Sequence, residues 1–302
     1  MESFKIGVIL PGVNVMRRDG IDLRTAARHA ENAGLDGVWH GDHLAIGGPA
    51  LDGPIALATA AAATAEISVG TSVFIPAIRP LAWAAKQIAT LQYVSGGRLV
   101  LGVGSGGGPG QWAAAGVPYG SRGRRTDTAL ELLPRLLAGE EVRLPDEPGE
   151  PPVRLAPAAA MPPVWVGNAS AVAIRRAARL GDGWFPSLIS PAKVAEGRAR
   201  LAELAAQHGR PTPVIAIGGA GALGTGPGLP SREEIASGIS AAYGRPLEEV
   251  VPIPLTGHPK EAAEQLAAYR EAGASHAIIG ISGGDWRTQV DLLAEARSHL
   301  RL

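Results

Sequence analysis

Short runs of β-branched and apolar residues recur along the chain at Lys5–Leu10, Gly37–His40, Ile67–Ile75, Arg98–Val103, Pro163–Val166, Gly183–Pro186, Val214–Gly218 and His276–Ile281. They predict strands. Between most of them the apolar residues fall at helical spacing. In Ile21–Ala33, Leu23, Ala26, Ala27 and Ala30 form one stripe, and Asp22 is placed to cap it. Leu81–Tyr93, Thr126–Leu137, Val172–Leu180, Lys193–Gln207 and Pro259–Glu271 carry the same spacing. Glycine follows these segments closely at Gly34, Gly96, Gly139, Gly181, Gly209 and Gly273, where a helix stop is expected.

Eight strand candidates, nearly all followed by a helix and with no break in composition, predict a (β/α)8 TIM barrel forming one α/β domain over residues 1–302. Two stretches read as insertions, after strands 4 and 7: the Pro-rich Leu144–Pro163 and the Gly/Pro-rich Gly218–Gly228. Residues 231–243 predict a further helix before the last strand–helix unit. The same alternation also permits a doubly wound open sheet. No strong internal repeat and no low-complexity tail is visible.

Composition narrows the function classes. The 302 residues are 46% hydrophobic, enough for a large core, and 28 Lys+Arg balance 28 Asp+Glu. A neutral chain argues against nucleic acid or an anionic membrane as the main partner. No apolar run approaches the roughly 18 residues that span a bilayer. The N-terminus enters a strand pattern at once, so no signal peptide is visible and a cytoplasmic protein is expected. With no cysteine, disulfides, thiolate metal sites and cysteine catalysis are excluded.

Glycine is concentrated in LVLGVGSGGGPG, residues 99–110, where Gly102, Gly104 and Gly107 spell G-x-G-x-x-G after a strand. A dinucleotide loop needs its third glycine in the first turn of a helix facing the pyrophosphate. Here Gly108, Pro109 and Gly110 follow, and a long helix is expected only from about Arg122. The Rossmann reading is therefore rejected. Two readings remain: a tight loop at a barrel rim, or a strand end whose backbone comes close to a ligand.

In a barrel the chemistry gathers at the C-terminal strand ends. VWHGDHL puts Asp42 and His43 after strand 2, either as a surface pair or as a carboxylate orienting a proton-transfer imidazole. Ser72 and Val73 fall near the exit of strand 3. VWVGNAS ends strand 5 and a helix follows at once. Gly167, Asn168, Ala169 and Ser170 thus offer backbone N–H groups and a hydroxyl to a phosphate, or cap the helix. Trp184 and Phe185 point inward or to the rim, at least one of them filling the core. His29, His40, His208, His258, His276 and His299 show no metal-ligand spacing, and His40 and His43 are expected on opposite faces of a strand. No metal site, no G-x-S-x-G elbow and no P-loop lysine is present.

Taken together, GLDGVWHGDHL (34–44), VGTSVFIPAIRPLAWAAKQIATLQYVSGGRLVLGVGSGG (69–107), GVPYGSRGRRTDTALELLPRLLAGE (116–140) and PPVWVGNASAVAIRRAARLGDGW (162–184) resemble the luciferase-like monooxygenase superfamily of flavin and deazaflavin oxidoreductases. TGHPKEAAEQLAAYREAGASHAIIGIS (256–282) is similar to that family's last helix and strand. The resemblance implies a barrel that holds coenzyme F420 or FMN at its C-terminal mouth. It puts Asp42 and His43 over the reactive ring, an unusual cis peptide at Ser72-Val73 behind it, and Ser105-Gly106 beside it. Gly167 to Ser170, with Val172 just inside the helix, match its phosphate-binding turn. Departures are informative too. Sugar-phosphate dehydrogenases of the deazaflavin branch carry a catalytic Glu where this chain has Gly107, a Trp where it has Leu44, and often an acidic residue where it has Thr128.

The resemblance implies an F420-dependent oxidoreductase moving a hydride between the deazaflavin C5 and an organic substrate, with His43, held by Asp42, handling the proton. Broad glycine at 106–108 and 4% aromatic content fit a roomy mouth and a bulky small-molecule substrate. An FMN-dependent monooxygenase fed by a partner reductase is the first alternative, and a non-catalytic flavin-binding barrel the second. A homodimer is implied by the resemblance alone.

Overall fold

The computed structural model describes residues 3–45 and 47–300. Eight strands alternate with eight helices along the chain. The strands are β1 (Lys5–Ile9), β2 (Gly37–His40), β3 (Ser68–Thr71), β4 (Leu99–Val103), β5 (Val164–Gly167), β6 (Gly183–Phe185), β7 (Val214–Leu223) and β8 (His276–Ile281). The helices that follow them are α1 (Leu23–Asn32), α2 (Gly53–Ala63), α3 (Leu81–Val94), α4 (Arg122–Leu137), α5 (Ala171–Leu180), α6 (Pro191–Gln207), α7 (Pro259–Glu271) and α8 (Trp286–His299). Each strand pairs in parallel with the next, and β8 pairs with β1, as in Lys5 opposite His276. The sheet therefore closes into a barrel, and the doubly wound alternative is excluded.

The helices bury their apolar stripes against the outside of the barrel. In α1 the stripe Ala26, Ala27 and Ala30 is fully buried, and the Asp22 carboxylate accepts from the Thr25 N–H, as the sequence predicts. Inside the barrel an aromatic layer takes the place of the usual branched aliphatics. Trp39 of β2 stacks on Trp165 of β5, with ring centroids 5.2 Å apart, and Phe185 of β6 closes on both. His276 of β8 meets Trp165 edge-on at 4.8 Å. Burial pushes the His276 imidazole down to about 4, so it is neutral at pH 7. Glycines on neighbouring strands make room for these rings: a Cβ at Gly7 or Gly70 would collide with Trp39, and one at Gly183 with Trp165.

The alternation of a strand carries the inward face two residues on. Beyond Trp165, Ala216 and Ile278, that face bears Gly167, Gly218 and Gly280, with Gly41 just past the end of β2. Above an aromatic floor the mouth is thus lined by bare backbone.

Several boundaries differ from the sequence reading. β3 stops at Thr71, the Ser72-Val73 peptide that follows is cis, and pairing with β4 resumes only as a single bridge between Phe74 and Val103. β7 runs through to Leu223, so Gly218–Leu223 is strand and not insertion. Its glycines are there for close approach: a Cβ at Gly218 would strike Ser187, and one at Gly221 the Leu255 backbone. The 144–163 stretch includes half of a small antiparallel pair, Val142–Arg143 against Pro152–Val153. The expected helix near 231–243 is Arg232–Tyr243, opened by a Ser231/Glu234 capping box. Short helices at Val13–Asp19, Pro109–Ala114 and Leu247–Val250 were not read from the sequence.

Candidate active site

The sequence-predicted residues lie at the C-terminal ends of four adjacent strands, β2 to β5. Val73 is the piece that ties them together. Its two methyl groups lie where Cβ atoms on Gly104 and Gly167 would be, so the bulge after β3 is wedged against the ends of β4 and β5. Ser72 N–H donates to the His40 carbonyl at 2.8 Å, and Phe74 N–H to the Gly102 carbonyl at 2.7 Å, which pins the bulge on both sides.

This wedge explains the glycine motif. A Cβ at Gly102 would strike the Thr71 carbonyl, and one at Gly104 would strike Val73, whereas one at Gly107 would meet nothing within 4 Å. The first two glycines are therefore steric and the third is not. Gly102→Ala is expected to destabilise by about 1–3 kcal/mol, or more because the colliding atom is backbone. Gly107→Ala is expected to stay within about 0.5 kcal/mol. Denaturant midpoints of the two variants test the contrast. The first long helix after the motif does begin at Arg122; before it comes one short helical segment that the sequence reading lacked, Pro109–Ala114, with Gly108 as its N-cap. Gln111 on that segment is buried; its side chain donates to the Gly107 carbonyl at 2.7 Å and accepts from Leu44 N–H at 3.4 Å. It bridges the loops after β2 and β4.

Asp42 is 5% exposed, but its partner is not His43. Asp42 Oδ2 accepts from the Ile75 N–H at 2.9 Å and from Arg79 Nη2 at 2.5 Å. The Arg79 guanidinium also donates to Gln87 and lies 4.5 Å over the Phe74 ring. Asp42 thus clamps the segment that follows the bulge to the end of β2, which corrects the expectation that it orients the imidazole. His43 is exposed and makes no hydrogen bond among the described residues. Its Nε2 edge is folded over Gly41, whose own face looks toward the Ser72 carbonyl. His40 and His43 do not share a strand to alternate along, because β2 ends at His40. His40 is buried, and its Nδ1–H donates to the Gly41 carbonyl at 2.7 Å. Burial lowers its pKa, opposed by the Gly41 carbonyl and reinforced by the charge of His43.

Beside the bulge, Ser105 Oγ accepts from Arg176 Nη1 at 3.2 Å. Arg176, on α5, is 8% exposed and is itself held by Asp127 of α4 at 2.7 Å. Gly106 adopts φ 65, and a Cβ there would press on Ile75 and Trp112.

The turn into α5 is capped by its own side chains, as the capping reading expects. Ser170 Oγ accepts from the Ala173 N–H, and Asn168 Oδ1 from the Ser170 N–H at 2.8 Å. The N–H groups of Ala169, Ala171 and Val172 have no hydrogen-bond partner among the described residues. Three donors at the positive end of a ten-residue helix are suited to an anion. Trp184 is not in the barrel: it faces outward beneath α6, and only Phe185 fills the interior.

Arg79, Gln111 and Arg176 have no signal in the sequence, and Trp184 has none for its bond to Asn168. Each reaches a partner 16 to 71 residues away, besides the local bonds of Gln111 to Gly107 and of Arg79 to Gln87. No group of three or more His, Cys, Asp and Glu side chains able to hold a metal occurs among the described residues. No helix among them is long and apolar enough to cross a membrane.

Comparison with known proteins gives a consistent picture. The family model for luciferase-like monooxygenases matches residues 5–244. An F420-dependent glucose-6-phosphate dehydrogenase of Amycolatopsis mediterranei is 31% identical over 187 residues, covering 54% of this chain and 52% of that one. The 4-hydroxyprotoasukamycin monooxygenase of Streptomyces nodosus subsp. asukaensis is 32% identical, covering 47% of this chain and 39% of that one. The match thus spans about half the length of these curated relatives or less. Among solved structures, an F420-dependent secondary alcohol dehydrogenase in complex with an F420–acetone adduct superposes with a TM-score of 0.81 over 100% of both chains at 16% identity, a likeness of fold.

Proposed function

This chain belongs to the luciferase-like monooxygenase family, and from that premise we propose that it is an F420-dependent oxidoreductase acting on a small organic substrate. The observation that carries this reading is convergence. His43 lies over Gly41, Gly41 faces the Ser72 carbonyl, and Val73 fills the space left by Gly104 and Gly167, so one mouth holds the imidazole, the bulge and the turn into α5.

The residues present fit such a cofactor. The inward glycines leave a cradle of backbone that side chains would fill, suited to a flat ring. The free N–H groups of Ala169, Ala171 and Val172 suit its phosphate. Ser72, Val73, Ser105 and Gly106 would line the ring, and Gly167, Asn168, Ala169, Ser170 and Val172 would hold the phosphate. When bound, the deazaflavin supplies hydride chemistry at its C5. The remaining work belongs to the chain. His43 gives or takes the proton that accompanies the hydride at the substrate oxygen, through a ring nitrogen at the open edge of the mouth. Asp42 and Arg79 hold the post-β3 segment in place rather than tuning that proton. Gly107 offers no side chain beside the site, so the proton falls to His43.

Titrating the apoprotein with F420 and with FMN, following cofactor fluorescence, tests the reading. Micromolar binding of F420 and binding of FMN at least about tenfold weaker are expected. The reverse order would replace this reading with the FMN-dependent monooxygenase, the chemistry named for the Streptomyces relative.

A further inference from the structure

We infer that Trp184 is a positioning residue for the cofactor phosphate, acting through the backbone of Asn168. This rests on the reading of the α5 turn as the phosphate site, but not on which flavin-like cofactor is bound.

Asn168 adopts φ 85, the left-handed region that non-glycine residues rarely occupy. Such a conformation persists only if its surroundings hold it. In front, Gly167 is packed against Val73. On the α6 side Ala169 and Ala171 are exposed and line an open cleft of about 320 Å³ with Ile174, Lys193 and Trp184. The turn is therefore fixed from that side by hydrogen bonds. Asn168 Oδ1 takes the Ser170 N–H, and Trp184 Nε1 donates to the Asn168 carbonyl at 2.9 Å. The indole bond is the one that ties the turn to the barrel.

Trp184 is held firmly enough to serve. It is 1% exposed, it belongs to β6, and its benzo ring occupies the space that Gly197 of α6 leaves by having no Cβ. A rigid indole thereby sets where the Asn168–Ala169 peptide points, and with it the Ala169 N–H that the phosphate would accept. Trp184 lies four residues past the end of α5 at Leu180, so its indole bond joins the chain leaving that helix to the turn that enters it.

The test is a phosphate-specific change in affinity. Trp184→Phe keeps a buried aromatic ring and removes the N–H. Dissociation constants are measured for F420 and for the same deazaflavin lacking phosphate and everything beyond it, and likewise for FMN and riboflavin. In Trp184→Phe the phosphate-bearing cofactor is expected to bind about tenfold more weakly, the cost of one hydrogen bond lost from an ordered site. The phosphate-free partner is expected to change by less than about twofold. Gly197→Ala, which crowds the same indole from α6, is a second route and should give the same selective loss. Unchanged affinity for the phosphate-bearing cofactor in both variants overturns the inference while leaving the proposed function standing. Equal losses for both members of a pair also overturn it, because they mark Trp184 as merely structural. If the wild-type protein binds none of the four compounds, the proposed function fails and this inference with it.

Discussion

Replacing His43 by alanine is expected to cut turnover by about 10²- to 10⁴-fold, the usual worth of a positioned proton donor or acceptor, while cofactor affinity stays within about twofold. The split follows from its surroundings. The ring is exposed and makes no hydrogen bond among the described residues, so its removal breaks no folded contact network. It lies over Gly41 rather than at the α5 turn, so the anion-binding donors are untouched. His43→Asn keeps a polar group of similar size but cannot titrate, and should be as inactive. Steady-state turnover with reduced cofactor, beside a fluorescence titration of each variant, measures both quantities. If His43→Ala retains full turnover, the imidazole is not the proton carrier; if no turnover can be measured even in the wild type while cofactor still binds, the barrel is a carrier.

The barrel was legible because each strand is an apolar run and most helices are amphipathic. The exceptions have physical causes. α2, GPIALATAAAA, is apolar nearly all round, so it shows no stripe to separate it from a strand or a loop. In α8 the buried face includes Gln289, whose amide accepts from the Leu223 N–H and donates to the Leu223 carbonyl. A polar residue on the core side hides the period. The β7 glycines read as an insertion because nothing local distinguishes a glycine that bends a loop from one that lets Leu255 or Ser187 approach.

The candidate site was legible as a set of positions but not as a set of contacts. Asp42, His43, Ser72, Val73, Ser105, Gly106 and the Gly167–Ser170 turn do gather at one mouth, since each follows a barrel strand. The pairing of Asp42 with His43 was an inference from adjacency, and adjacency misled. At a strand end, consecutive side chains diverge, and a buried carboxylate takes whichever cation the fold brings to it. Here that cation is Arg79, 37 residues on. The same holds for Arg176 reaching Ser105 and for Trp184 reaching Asn168.

Arg79→Ala is accordingly expected to be the most destabilising single change at the site, at about 3–5 kcal/mol, the cost of leaving a buried charge without its partner. Among the described residues Asp42 has one other donor, the Ile75 N–H, and at 5% exposure it has little access to water. The loss also removes the guanidinium from the Phe74 ring and from Gln87. Asp42→Asn in the same chain removes the stranded charge, so the double variant should recover much of the stability that Arg79→Ala forfeits, by about 1–3 kcal/mol of coupling. Urea denaturation of the wild type, both single variants and the double variant closes the cycle. Additive losses would show that the two side chains act independently. Function provides a second readout of the same pair. Because Asp42 grips the segment after the bulge and not the imidazole, Asp42→Asn should weaken cofactor binding yet leave the pH dependence of turnover unchanged. A shifted pH profile in Asp42→Asn would instead restore the carboxylate as the partner of His43 and remove the clamp as the reason for its burial.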